Sequence, residues 1–417
     1  MDSSASPSTN VFRHKDFALF WGARFAGNLA VQAQSVTIGW QVYAVARQSR
    51  SVEEGAFLVG MVGLAQFVPL FALTLSAGET ADRHTRRSII LICLVAEVIC
   101  SALLAVLALH PTPSFTPIFA IAVVFGAARA FLAPASGAMG PMLVPKAELP
   151  RSIAWGSLSW QGSSIVGPAV GGALCAVSPA LSYAVSAGLF AACALALIPI
   201  RTNTRPERQP GSRLELIKEG LAYFWSNKIV FGAVSLDLAA VLLGGATALL
   251  PVFAKDVLHV GPEGFGILRT APAVGAVAVG IYLSRRPIER RAGIWMFASV
   301  AVFGLATLGF AVSKTMWISV VMLAILGAGD MFSVFVRQSL IQIVTPDPMR
   351  GRVSAVATLF VGASNELGEF ETGVIARVIG PVAAAVFGGV GALAVTGLWA
   401  WMFPSLRKAD SLHKPEG

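Results

Sequence analysis

A chain of 417 residues with 55% hydrophobic and only 13% charged side chains lies far from a soluble domain, in which about a quarter of residues are charged. Its mean hydropathy of +0.72 implies repeated membrane crossing and excludes an ordinary soluble enzyme. The formal net charge of +9 does not point to nucleic acid, because the basic residues are dispersed between apolar runs, as orientation signals are.

A helix of about 20 apolar residues crosses a bilayer. Counting such runs predicts an all-α polytopic membrane protein with twelve spans, at 17–46, 55–77, 88–109, 116–143, 152–177, 179–200, 229–254, 264–284, 292–312, 315–343, 352–379 and 381–404. The longest connection, 201–228, is rich in Arg, Pro and Gln and separates an N-terminal half (1–200) from a C-terminal half (229–417). Its second part, RLELIKEGLAYFW, sets Leu214, Ile217, Leu221 and Phe224 on one stripe, the pattern of an amphipathic helix at the membrane interface. With both termini cytoplasmic, the opposite side holds only Arg47, Arg50, Lys255 and Lys314 outside the spans, which fixes the expected orientation. Cys93, Cys100, Cys175 and Cys193 sit inside apolar runs without metal-ligand spacing and read as packing residues, so neither metal nor cofactor is expected.

Span 1 carries Arg24, Asn28, Gln32, Gln34 and Gln41 with Trp40 and Tyr43. Amides and aromatics on one helix suit a large amphipathic ligand, and serve equally as hydrogen bonds between helices. Between spans 2 and 3 the chain reads GETADRHTRR, residues 78–87, a polar break with Gly78, Asp82, Arg83, Arg86 and Arg87. Gly78 permits close approach of helix ends, and Asp82 can pair within its loop or with amides of the next helix. The spacing resembles motif A of the major facilitator superfamily, G-x-x-x-D-R-x-G-R-R, with Thr85 where that family has glycine. The resemblance implies a gate on the cytoplasmic side. It also implies two six-helix halves, related by an axis along the membrane normal.

Span 4 has Arg129 in GAARAFLAP. This resembles motif B of drug–proton antiporters, which implies an arginine in the cavity near coupling carboxylates; Ala133 replaces the family's following glycine. Span 5 reads GSSIVGPAVGGAL, with Gly162, Gly167, Pro168, Gly171 and Gly172. Small residues at this spacing let backbones pack closely, and Pro168 removes one backbone bond. The G-P-x-x-G-G core resembles motif C, which implies an exporter of the antiporter type.

The halves also repeat. FGAARAF (125–131) aligns with LGAGDMF (326–332), and the same offset matches Gly167 to Gly368 and Gly172 to Gly373. The second copy of motif A has Ser284 at the Asp82 position and keeps Arg285, Arg286, Arg290 and Arg291.

Ionisable groups inside spans face a cavity or a partner. Here they are Arg24, Glu97, Arg129, Asp237, Arg269, Asp330, Arg337, Glu366, Glu369 and Glu371. Glu97 lies on span 3, which is peripheral in the resembled fold, and reads as structural. Asp330 is the repeat mate of Arg129, so the two are expected to pair across a pathway. Glu366 and Glu369 share a helix face, and two carboxylates this close do not both ionise readily. Glu366, Glu369, Asp330 and Asp237, with Arg129 shaping the field, are therefore the expected proton-coupling group. Arg24, Asn28, Gln32, Trp40, Arg269 and Arg337 are the expected substrate pathway.

From RFAGNLAVQAQSVTIGWQVY in span 1 to Leu406 the chain resembles the transmembrane-secretion-effector branch of the superfamily. This implies proton-coupled export of amphipathic small molecules, drugs or a siderophore, by a monomer in a bacterial-type cytoplasmic membrane. The expected partners are that small molecule, protons and the lipid bilayer, with no nucleic acid. An importer or lipid transporter is the alternative. An integral-membrane enzyme is disfavoured: His14, His84, His110, His259 and His413 are scattered through tails and loops, with no nucleophile elbow or phosphate loop.

Overall fold

The computed structural model describes residues 10–110, 114–204, 213–286, 288, 291–346 and 349–409. Arg290 falls outside them, and the side chains of Leu214, Ile217 and Glu366 are likewise not described. Among the described residues every regular element is helical. In chain order these are α1 (Lys15–Ala46), α2 (Val52–Arg83), α3 (Arg86–Leu109), α4 (Thr116–Met142), α5 (Leu149–Val177) and α6 (Pro179–Leu197). They continue as α7 (Arg213–Ser226), α8 (Lys228–Leu243), α9 (Leu250–Val252), α10 (Pro262–Arg285), α11 (Ala292–Val312), α12 (Met316–Val344), α13 (Arg350–Ile379), α14 (Pro381–Met402) and α15 (Pro404–Arg407).

The ends of these helices follow from local chemistry. Asn227 caps α8, its side-chain oxygen accepting from the amides of Ile229 and Val230 at 3.1 Å. Prolines open α6, α10 and α14, where a missing N–H leaves nothing unsatisfied. Gly380 separates α13 from α14 at φ +86°, a backbone that L side chains rarely adopt.

One local expectation is corrected and a second is refined. The polar stretch 78–87 is not a loop: α2 continues through Arg83, and only His84 and Thr85 leave the helix. A Glu79–Arg83 ion pair one turn apart supports that last turn, and no proline interrupts it. The predicted span 229–254 lies within one apolar stretch long enough to cross a membrane, Lys228–Val257, but its helix is not continuous. α8 stops at Leu243, and the chain passes Gly244 and Gly245 into a 3₁₀ turn, the short α9 and a π turn at Phe253–Val257. The break lets Gly245 lie against α13, where a Cβ would sit 2.6 Å from the Gly368 carbonyl oxygen.

Nine helical stretches among the described residues are long and apolar enough to cross a membrane. The other three long helices, α1, α5 and α13, are the ones that carry the amides, the serine–glycine run and the glutamates. Their length suffices; their polarity sets them apart.

The helices fall into two compact units. The first comprises Met1–Ser35, Val68–Gly167 and Val177–Gln209. In it α3 packs against α4 and α6, with Phe125 edge-on to Phe190 at 6.3 Å. The second comprises Val36–Phe67, Pro168–Ala176 and Pro210–Gly417. Its core runs through α8, α10, α11, α12 and α14, with Phe253 against Phe310 at 4.5 Å between centroids. At the end of α7, Phe224 is buried among Val230, Val234, Ile341 and Val353, so this part of the amphipathic stripe packs on protein.

Candidate transport site

Each unit contains a cavity with ionisable walls. In the first, α1 presents Arg24 and Asn28, α3 presents Glu97, α4 presents Arg129 and Ser136, and α5 presents Trp160, around about 250 Å³. Glu97 is wholly buried, and among the described residues neither of its carboxylate oxygens has a hydrogen-bond partner. Sequence reasoning set this residue aside as peripheral; the only signal it offered was a charge inside an apolar run. Gln32 turns to α5 and donates to the Ser164 hydroxyl at 3.2 Å. Gln34 accepts a hydrogen bond from Ser101 of α3.

The residues of the motif A stretch hold helix ends in the first unit. Arg86 donates to the Ala138 carbonyl of α4 at 3.1 Å. Arg87 donates to the carbonyls of Ile200, at 2.9 Å, and Ile198 beyond α6. Cations at these positions satisfy C-terminal carbonyls and complement the helix dipole. Asp82 and Arg83 are exposed, Arg83 pairing with Glu79, and Gly78 is buried. Asp16 ties the segment after α6 to α1, accepting from the Thr202 amide at 2.9 Å and its hydroxyl at 2.6 Å. The Thr202 hydroxyl bond is the main reason its carboxyl lies below the ordinary aspartate value.

The glycines of α5 serve close approach. A Cβ on Gly167 would lie 2.5 Å from Cβ of Gln32, and one on Gly162 would lie 3.1 Å from the Phe25 ring. Beyond Pro168, Gly172 meets Gly266 of α10 in the second unit's own packing. Gly171 is buried beside it.

The cavity of the second unit measures about 850 Å³ and is walled by α8, α12 and α13. Asp237 and Arg337 form a buried ion pair there. Asp330 lines the same cavity, as does Asn365. Arg129 thus shares a cavity with Glu97, and Asp330 shares one with Asp237 and Arg337. Glu369 of α13 faces Arg269 of α10 at 3.8 Å, both half-buried. Trp40 stacks on Phe265 at 6.1 Å between centroids.

Sequence reasoning missed one cluster. Tyr43, near the end of α1, donates to the carboxylate of Asp256 in the π turn, and Arg47 reaches the same carboxylate at 3.3 Å. Asp256 holds the guanidinium charge of Arg47 more firmly than an exposed arginine's. The two sides of this cluster lie more than 200 residues apart in the chain, and no motif joins them.

Long helices that cross through glycines, with ionisable groups held in cavities inside them, are features of polytopic helical membrane proteins. A bacterial homologue of the human lysosomal transporter Spinster superposes with a TM-score of 0.73 at 14% identity, covering 94% of this chain and 98% of that one. A D-xylose–proton symporter superposes with a TM-score of 0.67 at 14% identity, covering 95% and 98%. At such identities the likeness concerns the fold. The chain matches the transmembrane secretion effector family over residues 5–415 and belongs to it. Among similar proteins, an enterobactin exporter of Citrobacter koseri is 26% identical over 390 residues, covering 92% of this chain and 91% of that one. An enterobactin exporter of Shigella boydii serotype 18 is 25% identical over 404 residues, covering 95% and 93%.

Proposed function

We propose that this protein is a proton-coupled exporter of amphipathic small molecules, siderophore-like in character, in the bacterial cytoplasmic membrane. The observation that carries the reading is the family membership, supported by exporters that align over nearly the whole chain. In this reading twelve helices span the membrane with both termini inside, and the halves 1–200 and 229–417 alternate access around a central pathway as a monomer. Transport is its whole activity: the chain performs no covalent chemistry and needs no resident cofactor.

Roles follow from chemistry. Glu369, or Glu366 in its place, carries the proton, because carboxylates titrate and the guanidinium of Arg129 does not; Asp330 and Arg129 shape the local field, and Asp237 is the alternative carrier. Arg24, Asn28, Gln32, Trp40, Arg269 and Arg337 line the substrate's route. Gly78, Asp82, Arg83, Arg86 and Arg87 gate the inner side. Gly162, Gly167, Pro168, Gly171 and Gly172 form the helix crossing that antiport requires.

The test is a deletion strain loaded with an amphipathic dye, together with a siderophore-release assay. Higher retention of either compound, reversed by the gene, supports export. Lower accumulation in the deletion strain overturns it in favour of an importer.

A further inference from the structure

We infer that the cavity of the first unit binds an anionic group carried on a flat apolar body, an aryl carboxylate being the simplest example. The inference rests on the transporter reading and narrows its substrate class.

Three observations carry it. First, the charges do not balance. Arg24 and Arg129 both line the cavity, and Glu97 is the single carboxylate among its walls. A guanidinium cannot shed its proton, so with Glu97 ionised one positive charge remains uncompensated in an apolar surround, which a bound anion would neutralise. Second, polar groups are left unpaired. Among the described residues neither Arg24 nor Arg129 makes a hydrogen bond or a salt bridge. Among the same described residues the buried Nδ2 of Asn28 has no acceptor, and both oxygens of the wholly buried Glu97 have no donor. Native proteins rarely leave such groups unsatisfied unless a ligand or water completes them. Third, the room and the walls fit an aromatic acid. The cavity holds about 250 Å³, with Trp160 and Phe20 among its apolar walls. Gly156 leaves space for the arginine: a Cβ there would stand 3.3 Å from the Arg24 Nη1.

The geometry gives Glu97 a distinct task. It lines the same cavity as Arg129, and when ionised it offsets part of the positive field without consuming the donors by hydrogen bonding. It is a positioning residue, and its charge competes with that of the ligand. A cationic ligand is disfavoured, since it would meet two guanidiniums for one carboxylate.

Purified full-length protein is titrated calorimetrically with sodium benzoate, benzyl alcohol and benzylammonium chloride, probes that share one ring and differ in charge. Benzoate should saturate, and the other two should bind at least about tenfold more weakly, as expected for losing a charge-assisted hydrogen bond. Arg24→Gln and Arg129→Gln should each weaken benzoate by about tenfold or more on the same grounds. Glu97→Gln should tighten benzoate, which a merely structural role would not produce. Equal binding of the three probes, benzoate binding that ignores both arginines, or no benzoate binding overturns the site. Dye efflux from vesicles separates the two readings: efflux without benzoate binding leaves the exporter standing and removes the anion site. Arginine-dependent benzoate binding without efflux does the reverse.

Discussion

Gly172 of α5 and Gly266 of α10 cross with no side chain between them. A Cβ on Gly172 would stand 2.8 Å from the Gly266 Cα and 2.6 Å from the Pro262 carbonyl oxygen. Its repeat mate Gly373, on α13, makes the corresponding crossing with Gly60 of α2, where an added Cβ would lie 3.1 Å from the Gly60 Cα. The internal repeat therefore places one device twice. The two are not equally tight. An alanine at Gly172 must move backbone, and forced overpacking costs about 1–3 kcal/mol; at Gly373 the neighbours need give only slightly. Gly172→Ala is expected to lower the thermal unfolding midpoint in detergent more than Gly373→Ala does. The opposite ranking would contradict the crossing geometry.

Asp256 gathers two donors, the Tyr43 hydroxyl and the Arg47 guanidinium. Hydrogen bonds to a charged group contribute about 1.5–3 kcal/mol each when partly shielded. Asp256→Ala removes both and leaves the buried Tyr43 hydroxyl without its acceptor. Its unfolding midpoint should fall clearly, while Tyr43→Phe, which keeps the ion pair, should fall less. Midpoints that do not move in either variant would mean that water replaces the carboxylate at no cost.

The buried pair of Asp237 and Arg337 behaves differently from a surface ion pair. Removing one partner strands the other charge, at a cost of about 3–5 kcal/mol. Arg337→Met alone should therefore be strongly destabilising, and adding Asp237→Asn should restore much of the loss. A double variant no more stable than the single one would show that the pair is not coupled in the way the geometry requires.

The arginines after α2 separate stability from gating. Arg87 satisfies two carbonyls following α6, so Arg87→Ala should lower stability by at least about 1.5–3 kcal/mol, the size of one bond from a charged donor. Asp82 is exposed, and Asp82→Asn should leave the unfolding midpoint in place while impairing transport in reconstituted vesicles. Normal transport at matched protein levels would remove Asp82 from the gate.

Much of this was legible in the sequence because it is written locally. Apolar run lengths delivered the long helices, and the Gly-Pro-x-x-Gly-Gly spacing marked α5 as a helix of close approach. One local reading failed and another was incomplete, both for physical reasons. Residues 78–87 look like a loop by polarity, yet the Glu79–Arg83 pair carries the helix onward. Residues 229–254 do form one apolar stretch long enough to cross a membrane, yet two adjacent glycines interrupt its helix where α13 approaches. What stayed hidden was pairing over distance. Nothing near Tyr43 names Asp256, and nothing near Glu97 names Arg129 as its cavity neighbour; a charge inside an apolar run announces a partner without identifying it.

Coupling is the remaining question, and Glu369 is where it is best tested. Its carboxylate faces Arg269 at 3.8 Å, close enough for attraction but beyond hydrogen-bonding distance, and both groups stay partly open to solvent. A pair in this state differs from Asp237 with Arg337, which is buried and closed. Protonation of Glu369 would release Arg269, and access from alternate sides would turn that release into transport. Glu369→Gln imitates the protonated form. It should abolish efflux driven by a pH gradient while cargo binding remains measurable. Asp330→Asn should reduce efflux yet leave its dependence on the gradient, because Asp330 acts through the field of its cavity. If Glu366→Gln, Glu369→Gln and the double variant all keep gradient-driven efflux in vesicles, the acids of α13 are structural. Asp237, already paired with a guanidinium it could release, then becomes the next residue to replace.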